Sequence, residues 1–232
     1  MPASRPKSPR PVRPAKIAPR LIETEDDVAA GIKALRRQCP IIRRMHDATG
    51  LPPLRRRPAG FEGLARIIVG QQLSVASANA IWGRTFVAVQ PFDAATLLAA
   101  SETDLRAAGL SRGKVRTLTA MAREVMDAGL DLERLDHLDD AAVNAALTRI
   151  SGVGPWTADI FLMFCLGRAD GFAPGDLALQ VAAQMAMELD ERPSAKAIAE
   201  IAERWRPWRS VAARLLWAYY KVVKDAKSGA PV

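Results

Sequence analysis

The chain has 232 residues, of which 49% are hydrophobic and 25% charged, a composition typical of one globular core or of two lobes that share a cleft. No apolar run approaches the roughly 18 residues that a membrane span needs, and no apolar stretch follows the basic N-terminus as in a secretory signal. Cys39 and Cys165 are the only cysteines, too few for a disulfide framework or a four-cysteine iron–sulfur cluster. We therefore expect a cytoplasmic protein without a membrane segment.

The net charge of +8 is distributed unevenly. Residues 1–20 contain six basic side chains, six of the sixteen prolines and no acid, so they carry +6, and the remaining 27 basic and 25 acidic side chains carry +2. Closely spaced prolines do not form helix or packed strand. The sequence predicts a disordered, basic, Pro-rich tail over 1–20, either simply solvated or serving as a phosphate-binding arm, and a folded domain over 21–230.

Helical periodicity covers almost the whole chain from Thr24 onward. Thr24 and Asp27 predict a capping box at the start of the first helix, and the Pro- and Arg-rich stretch 51–60 breaks the pattern. Further helices are predicted over 61–69, 74–89, two short segments from 101 and 111, a segment ending at 150, and 155–166, 177–189, 194–205 and 207–223. No window alternates as a strand would, so the predicted fold class is all-α.

Residues 147–159, LTRISGVGPWTAD, predict a tight turn between two helices. Gly152 and Gly154 allow a close approach of the backbone to another group, and Pro155 suits the first turn of the next helix. Amides at such a helix start form an anion site that fits a phosphate without reading base sequence. Taken alone, the pattern indicates an ordinary helix–helix connection more readily than a DNA contact.

With its flanks, this segment resembles the helix-hairpin-helix of the HhH-GPD superfamily of DNA glycosylases. The stretch GFAPGDLALQ is similar to the Gly- and Pro-rich loop that ends in the family's Asp, at the position of Asp176, and residues 61–82 and 202–217 agree as well. The alkylation-repair branch, 3-methyladenine DNA glycosylase II and its compact relatives, is the most similar. The resemblance implies a two-lobed helical fold, with a central lobe at about 61–150 and a second lobe of the N-terminal helix and the C-terminal helices.

The resemblance implies that Asp176 is the catalytic carboxylate. From the residues alone, Asp176 is a helix N-cap, and the two roles are compatible. Breaking the bond between a sugar and a base builds positive charge on the sugar, which a fixed carboxylate stabilises while it orients a water. Bifunctional members carry a Lys where this chain has Trp156, so we expect a monofunctional enzyme that needs no cofactor for its chemistry.

Trp156 and Trp217 resemble the tryptophans that shape the branch's base pocket, with core packing as the alternative reading of both. Tyrosines that join this pocket in the branch are replaced here by Ile160 and Ala218. A flipped base leaves a gap in the duplex, for which Gln72 or Leu73 is the candidate wedge, although Leu73 fits a core position equally well. The expected DNA-binding residues are Gly152, Val153, Gly154, Thr157, Gln72 and Leu73.

By the same resemblance, the backbone carbonyls of Thr148, Ile150 and Val153 are expected to bind a structural Na⁺ or K⁺ that bridges to a DNA phosphate. The predicted function is that of a monomeric, monofunctional DNA-3-methyladenine glycosylase, which flips alkylated purines out of damaged double-stranded DNA and hydrolyses the N-glycosidic bond, in the nucleoid if the source is bacterial. Two alternatives stay open. One is a non-enzymatic helix-hairpin-helix DNA-binding protein whose Asp176 is only a cap, and the other is a glycosylase for deaminated or mismatched bases.

Overall fold

A computed structural model describes residues 19–228, with side chains described through residue 225. Over this range the chain is helical, and its one β feature is an isolated bridge between Leu21 and Arg168. The α-helices are α1 (Glu25–Gln38), α2 (Pro40–Thr49), α3 (Gly60–Gly70), α4 (Val75–Ala88), α5 (Ala94–Ala99), α6 (Glu102–Ala107), α7 (Arg112–Met126), α8 (Asp140–Thr148), α9 (Pro155–Phe164), α10 (Leu177–Met187), α11 (Ala195–Ala202) and α12 (Arg209–Ser228). The predicted all-α class is confirmed for these residues, while the predicted tail lies almost wholly outside them.

Local capping defines most helix starts. At α1 the Thr24 hydroxyl accepts from the Asp27 amide at 3.2 Å, and the Asp27 carboxylate accepts from the Thr24 amide at 2.9 Å. This reciprocal pair is the predicted capping box, which satisfies two amides that the helix itself leaves unpaired. Serine side chains accept an amide three residues on at the starts of α4, α6, α7 and α11.

The sequence patterns missed two helices and placed two ends wrongly. The short α5 was not predicted. The separate helix α2 was missed because its apolar positions continue the helical spacing of those in α1 past Cys39, so the spacing gave no boundary. The predicted helix 194–205 ends at Ala202 and passes into a 3₁₀ turn, Glu203–Trp205. The last helix begins at Arg209 rather than at 207. Trp205 is fully buried at this junction, so packing of the indole, which periodicity does not report, shapes the chain there.

The helices pack in two sets. α1, α2, α10 and α12 contact one another, whereas α3 contacts α4, α7 and α9, and α5 contacts α7. This grouping is the one that two lobes would require, and the division into lobes itself stays a prediction. α9 packs with α3 and α8, whereas α12 packs with α10, so these two helices belong to different sets.

Two expectations about the compartment can be compared with the described residues. Within 19–228, none of the helices combines the length and the apolar character that a membrane crossing requires. Cys39 and Cys165 are both buried free thiols, and burial raises the pKa of the Cys165 thiol to about 12. The compartment in which the protein acts stays a prediction.

Candidate active site

A cavity of about 540 Å³ lies where the start of α9, the start of α10, the α3–α4 turn and α12 meet. Its volume is in the range of small-molecule sites and is large enough for a purine base. Asp176, Trp156 and Trp217 all line it, as does Ile160. The sequence-predicted catalytic and base-pocket residues are therefore brought together in one cavity, although 61 residues of chain separate Trp156 from Trp217.

The carboxylate of Asp176 accepts three hydrogen bonds. The indole Nε1 of Trp156 donates to Oδ2 at 2.8 Å, and the indole Nε1 of Trp217 donates to Oδ1 at 3.0 Å. The Leu179 amide also donates to Oδ1 at 3.0 Å, which is the N-cap of α10. An ionised carboxylate is an acceptor at both oxygens and can take all three bonds. Its position is consequently fixed from three different elements.

The loop before α10 holds Asp176 at the cavity. The Asp176 amide donates to the Ala173 carbonyl at 3.0 Å, and the Gln180 side-chain amide donates to the Pro174 carbonyl at 2.8 Å. A Cβ on Gly175 would meet Trp156 Cβ at 4.0 Å, an ordinary contact. The Pro-Gly turn therefore packs beside Trp156 and directs the next residue, Asp176, toward the indole.

The start of α12 is bonded to the same loop, and these bonds fix where Trp217 lies relative to Asp176. Arg209 binds Asp170 in a bidentate ion pair, with Nε–Oδ1 at 3.0 Å and Nη2–Oδ2 at 3.1 Å. The Ser210 amide donates to the Ala169 carbonyl at 2.9 Å. A planar guanidinium fork fixes orientation as well as distance, so α12 presents Trp217 to Asp176 in one register.

The hairpin between α8 and α9 depends on Gly152. Gly152 has φ +88°, and a Cβ there would lie 2.0 Å from Thr117 Oγ1 of α7. A side chain is excluded both by the backbone conformation and by this contact. Gly154, the N-cap of α9, has ordinary extended φ and open space around it. Gly152 is thus required for the turn, whereas Gly154 leaves the start of α9 accessible.

The other predicted hairpin residues differ in exposure. The side chains of Val153 and Thr157 are buried, at 5% and 2% exposure. The Thr157 hydroxyl accepts from the Gln71 side-chain amide at 2.9 Å. DNA contacts at these two positions would therefore come from the backbone rather than from the side chains, and Thr157 instead links α9 to the α3–α4 turn.

The two wedge candidates, Gln72 and Leu73, occupy different environments in the α3–α4 turn. Gln72 has φ +56°, which is a left-handed conformation, and its side chain is exposed. Leu73 is 38% exposed and lines the cavity, so the core reading of Leu73 is wrong. A non-glycine residue at positive φ is uncommon and marks a constrained position. Gln72 lies at the tip of the turn, and Leu73 lies in the wall of the cavity.

A groove of about 400 Å³ runs between this turn, the start of α7 and the hairpin. No acidic side chain is among its lining residues, which are Gln71, Gln72, Ser111, Gly113, Lys114, Arg116, Thr117, Ser151 and Gly152. The Lys114 ammonium donates to the Val69 carbonyl at 2.7 Å, and burial lowers its pKa. The groove therefore has the polarity that a phosphate backbone requires.

Several cavity residues were not recognised in the sequence. Arg55 and Arg57 come from the Pro- and Arg-rich stretch, and Phe164, Tyr220 and Lys224 come from α9 and α12. The spacing from Trp217 to Tyr220 and Lys224, three and seven residues, places all three on one face of a helix, and this signal could have identified the last two. Ala218, in contrast, is not among the lining residues.

The carbonyls of Thr148, Ile150 and Val153 form the candidate cation site. The Val153 amide donates to the Ile150 carbonyl at 2.9 Å, which uses one of that oxygen's two lone pairs. Carbonyl oxygens are hard ligands of the kind that bind alkali and alkaline-earth cations. The donor set fits a monovalent cation, and among the described residues no cluster of His, Cys, Asp and Glu could hold a metal.

Several curated relatives and solved structures that are similar to this chain are named as 3-methyladenine glycosylases. The chain is 27% identical over 182 residues to a DNA-3-methyladenine glycosylase of Bacillus subtilis, covering 72% of this chain and 57% of the relative. The structure of the Schizosaccharomyces pombe 3-methyladenine DNA glycosylase Mag1 in complex with abasic DNA is similar, with TM-score 0.75, 25% identity and coverage of 81% and 95%. A DNA-3-methyladenine glycosidase from Bacillus halodurans has TM-score 0.71, 30% identity and coverage of 85% and 91%.

The chain spans about 40% to 57% of the length of the first four curated relatives that it matches. Residues 65–207, more than half of the chain, match the family described as HhH-GPD superfamily base excision DNA repair protein. This range contains the hairpin, the loop that ends in Asp176, and the α3–α4 turn, whereas Trp217 of α12 lies beyond it. The chain belongs to the HhH-GPD superfamily of base excision DNA repair proteins.

Proposed function

We propose that this protein is a monofunctional DNA glycosylase that flips alkylated purines out of duplex DNA and hydrolyses the N-glycosidic bond. The observation that carries the proposal is the Asp176 carboxylate, held by two indole N–H groups at 2.8 and 3.0 Å in a cavity of about 540 Å³. The relatives named as 3-methyladenine glycosylases support the choice of alkylated purines.

Asp176 stabilises the positive charge that develops on the sugar as the base departs. A carboxylate already held in place needs no reorganisation at that moment, and in a partly dry cavity its charge acts more strongly than in water. It also orients a water for attack on the sugar carbon, as carboxylates do in glycoside hydrolysis. Hydrolysis leaves an abasic site, and the DNA backbone stays intact because Trp156 stands where bifunctional relatives carry the Lys that forms a Schiff base.

The chain binds DNA as a monomer through its hairpin and the adjacent groove. The exposed amides at the start of α9 and the cations of the groove contact phosphates and hold the duplex without reading its sequence. The backbone carbonyls of Thr148, Ile150 and Val153 would hold a Na⁺ or K⁺, which would supply positive charge beside the DNA backbone. Gln72, at the exposed tip of the α3–α4 turn, enters the gap that the flipped base leaves, and Leu73 packs beside the extruded nucleotide.

The contacts of Asp176 argue against a non-enzymatic DNA-binding protein. An N-cap requires one bond from the carboxylate to a backbone amide, and the Leu179 amide supplies it. Two additional indole donors from α9 and α12 exceed what capping needs. A half-buried carboxylate with polar contacts on both oxygens, at the wall of a cavity, is typical of a catalytic group.

The proposal is tested by the bases that the wild-type protein releases. Duplex DNA containing 3-methyladenine, 7-methylguanine, hypoxanthine, uracil or ethenoadenine is incubated with the protein, and free bases are separated and quantified. We expect release of alkylated purines and an intact backbone until the abasic sites are cleaved by alkali. Release by wild type that does not exceed release by Asp176→Asn contradicts the enzymatic proposal.

The same reaction in borohydride tests the monofunctional assignment. We expect no covalent adduct with wild type or with Trp156→Lys, because a lysine alone does not recreate the surrounding geometry. Lys224 at the cavity rim is the amine that such an experiment would detect. A borohydride-stable adduct that disappears in Lys224→Gln would show a lyase step.

A further inference from the structure

Three positively charged side chains, Arg55, Arg57 and Lys224, line the cavity that contains Asp176. Arg57 is half-buried, whereas Arg55 and Lys224 are exposed. Among the described residues, none of the ion pairs joins Arg55 or Arg57 to an acid. Asp176 is the one acid in the wall of this cavity, and its oxygens already accept from two indoles and an amide. The charge of Arg57 is therefore not neutralised by a neighbouring carboxylate.

The backbone around Arg57 is fixed against the end of α9. The Arg57 amide donates to the Phe164 carbonyl at 3.0 Å, and Arg56 Nη1 donates to the Cys165 carbonyl at 2.9 Å. Arg214 of α12, which is 2% exposed, donates from Nε to the Leu54 carbonyl at 3.0 Å. These bonds hold residues 54–57 as a strap over the helix end, and they leave the Arg57 guanidinium available to the cavity.

The strap brings Arg57 next to the aromatic wall of the cavity. Phe164, whose carbonyl binds the Arg57 amide, packs its ring against Trp217 at 5.6 Å between centroids. Trp217 in turn donates to Asp176. Arg57 is half-buried, and this burial lowers the pKa of its guanidinium. A guanidinium stays charged in proteins, so the cavity wall carries a partly dehydrated positive charge.

This charge acts on the base that enters. An alkylated purine such as 7-methylguanine is cationic and meets like charge, which is less screened here than in water. An uncharged damaged purine avoids that repulsion, and an oxygen on its edge can accept from the guanidinium. The indole faces favour a cation by about 0.5–2 kcal/mol, so Arg57 opposes the preference that the tryptophans alone would create.

We propose that Arg57 is a specificity-determining residue, which weakens the preference of the cavity for cationic alkylated purines and thereby admits uncharged damaged purines as well. This inference rests on the proposed function and names a further class of base that the same cavity admits. Arg57 contacts the base in this account, whereas Asp176 acts on the sugar. The two roles are separable by experiment.

Hypoxanthine and 7-methylguanine form the matched substrates, because both present a carbonyl at the same edge of the purine and differ in charge. Single-turnover release of each base is measured with wild type and with Arg57→Gln. We expect the variant to release 7-methylguanine faster and hypoxanthine more slowly, with a change of about tenfold in the ratio of the two rates. Arg57→Lys keeps the charge and should keep most of the wild-type ratio.

Arg37→Gln is the control, because Arg37 is exposed on α1 and lies outside this cavity. It removes the same charge from the DNA-binding protein and should leave the ratio unchanged. The Arg57 amide contact is retained in every variant, and thermal unfolding confirms folding.

An unchanged ratio in Arg57→Gln overturns the inference. An equal loss for both bases, accompanied by weaker binding of an abasic-site analogue, also overturns it, because Arg57 would then hold a phosphate. Release of no base by wild type would remove the proposed function and this inference together. Release of both bases by wild type, with a ratio of rates that Arg57→Gln leaves unaltered, would contradict this inference and leave the proposed function in place.

Discussion

Two carboxylates lie in opposite environments at α9: Asp176 contacts the start of this helix, and Asp159 is part of its middle. At its first turn, Trp156 donates to Asp176, which also accepts from Trp217 and Leu179, all within 3.0 Å. One turn further, Asp159 of the same helix has one side-chain donor, Asn144 Nδ2 at 3.5 Å. Desolvation raises the pKa of Asp159 to about 7, although Arg209 acts in the opposite direction.

If Asp176 is the catalytic carboxylate, as proposed, burial and a carboxyl group do not by themselves make a catalytic site. Asp159 is withdrawn from water with a single long hydrogen bond, from Asn144, so its neutral form is favoured. Asp176 has donors on both oxygens and lies in the wall of a cavity. A carboxylate that must stabilise a developing cation needs the arrangement of Asp176. Donors supplied from two helices distinguish Asp176 from Asp159.

Among variants that keep both carboxylates, the largest effect is expected from the indole donors. Trp156→Phe and Trp217→Phe keep an aromatic ring and remove one bond each to Asp176. Because a hydrogen bond to a charged group contributes about 1.5–3 kcal/mol, each variant should lower the single-turnover rate of base release by about tenfold or more, and the double variant should lower it further.

Thermal unfolding and binding to an abasic-site analogue serve as controls for these variants. Both quantities should change little, since the rings stay and the lost atoms point at the carboxylate. Wild-type rates in both single variants would show that the indole N–H groups do not position Asp176.

A smaller effect, on stability rather than rate, is expected at Asp159. Its folded pKa, about 7, lies above the ordinary 3.8, so the folded protein keeps a proton that the unfolded chain releases. The free energy of unfolding should therefore fall as pH rises from about 4 to 7. Asp159→Asn removes this titration, and its advantage over wild type should grow by about 1–3 kcal/mol between pH 5 and pH 8.

Urea unfolding at pH 5, 6, 7 and 8 measures this difference. A difference between the urea midpoints of wild type and Asp159→Asn that is the same at every pH would show that Asp159 is ionised in the folded protein throughout this range. The base-release rate should be insensitive to this variant, which separates Asp159 from the site.

The part of the site that sequence could predict is the part that short segments encode. Asp176 follows a Pro-Gly turn before an apolar helix, and its N-cap role follows from that order alone. The hairpin glycines likewise precede a proline at the start of a helix. Local capping and turn chemistry decide these features, and the family resemblance added the chemistry.

The remainder depends on contacts between distant segments. Arg57 reaches the cavity because its amide binds the carbonyl of Phe164, at the far end of α9, and no spacing in the sequence reports this. The break between α1 and α2 was missed for a different reason, because the apolar positions run on from α1 into α2 although Pro40, at the first position of the new helix, is a local signal of the boundary. Tertiary packing rather than local preference therefore determined the position of Arg57, but not this break.

Single-turnover base release from methylated duplex DNA by the matched variants Asp176→Asn and Asp159→Asn, at one pH near 7.5, tests the central claim most directly. The catalytic account predicts a loss of about 100- to 1,000-fold for Asp176→Asn and a rate within about twofold of wild type for Asp159→Asn. Asparagine is as good an N-cap as aspartate, so α10 stays formed and folding is not the cause of the loss. Retention of more than about a tenth of the wild-type rate by Asp176→Asn, or an equal loss in Asp159→Asn, would contradict the assignment of Asp176 as the catalytic carboxylate.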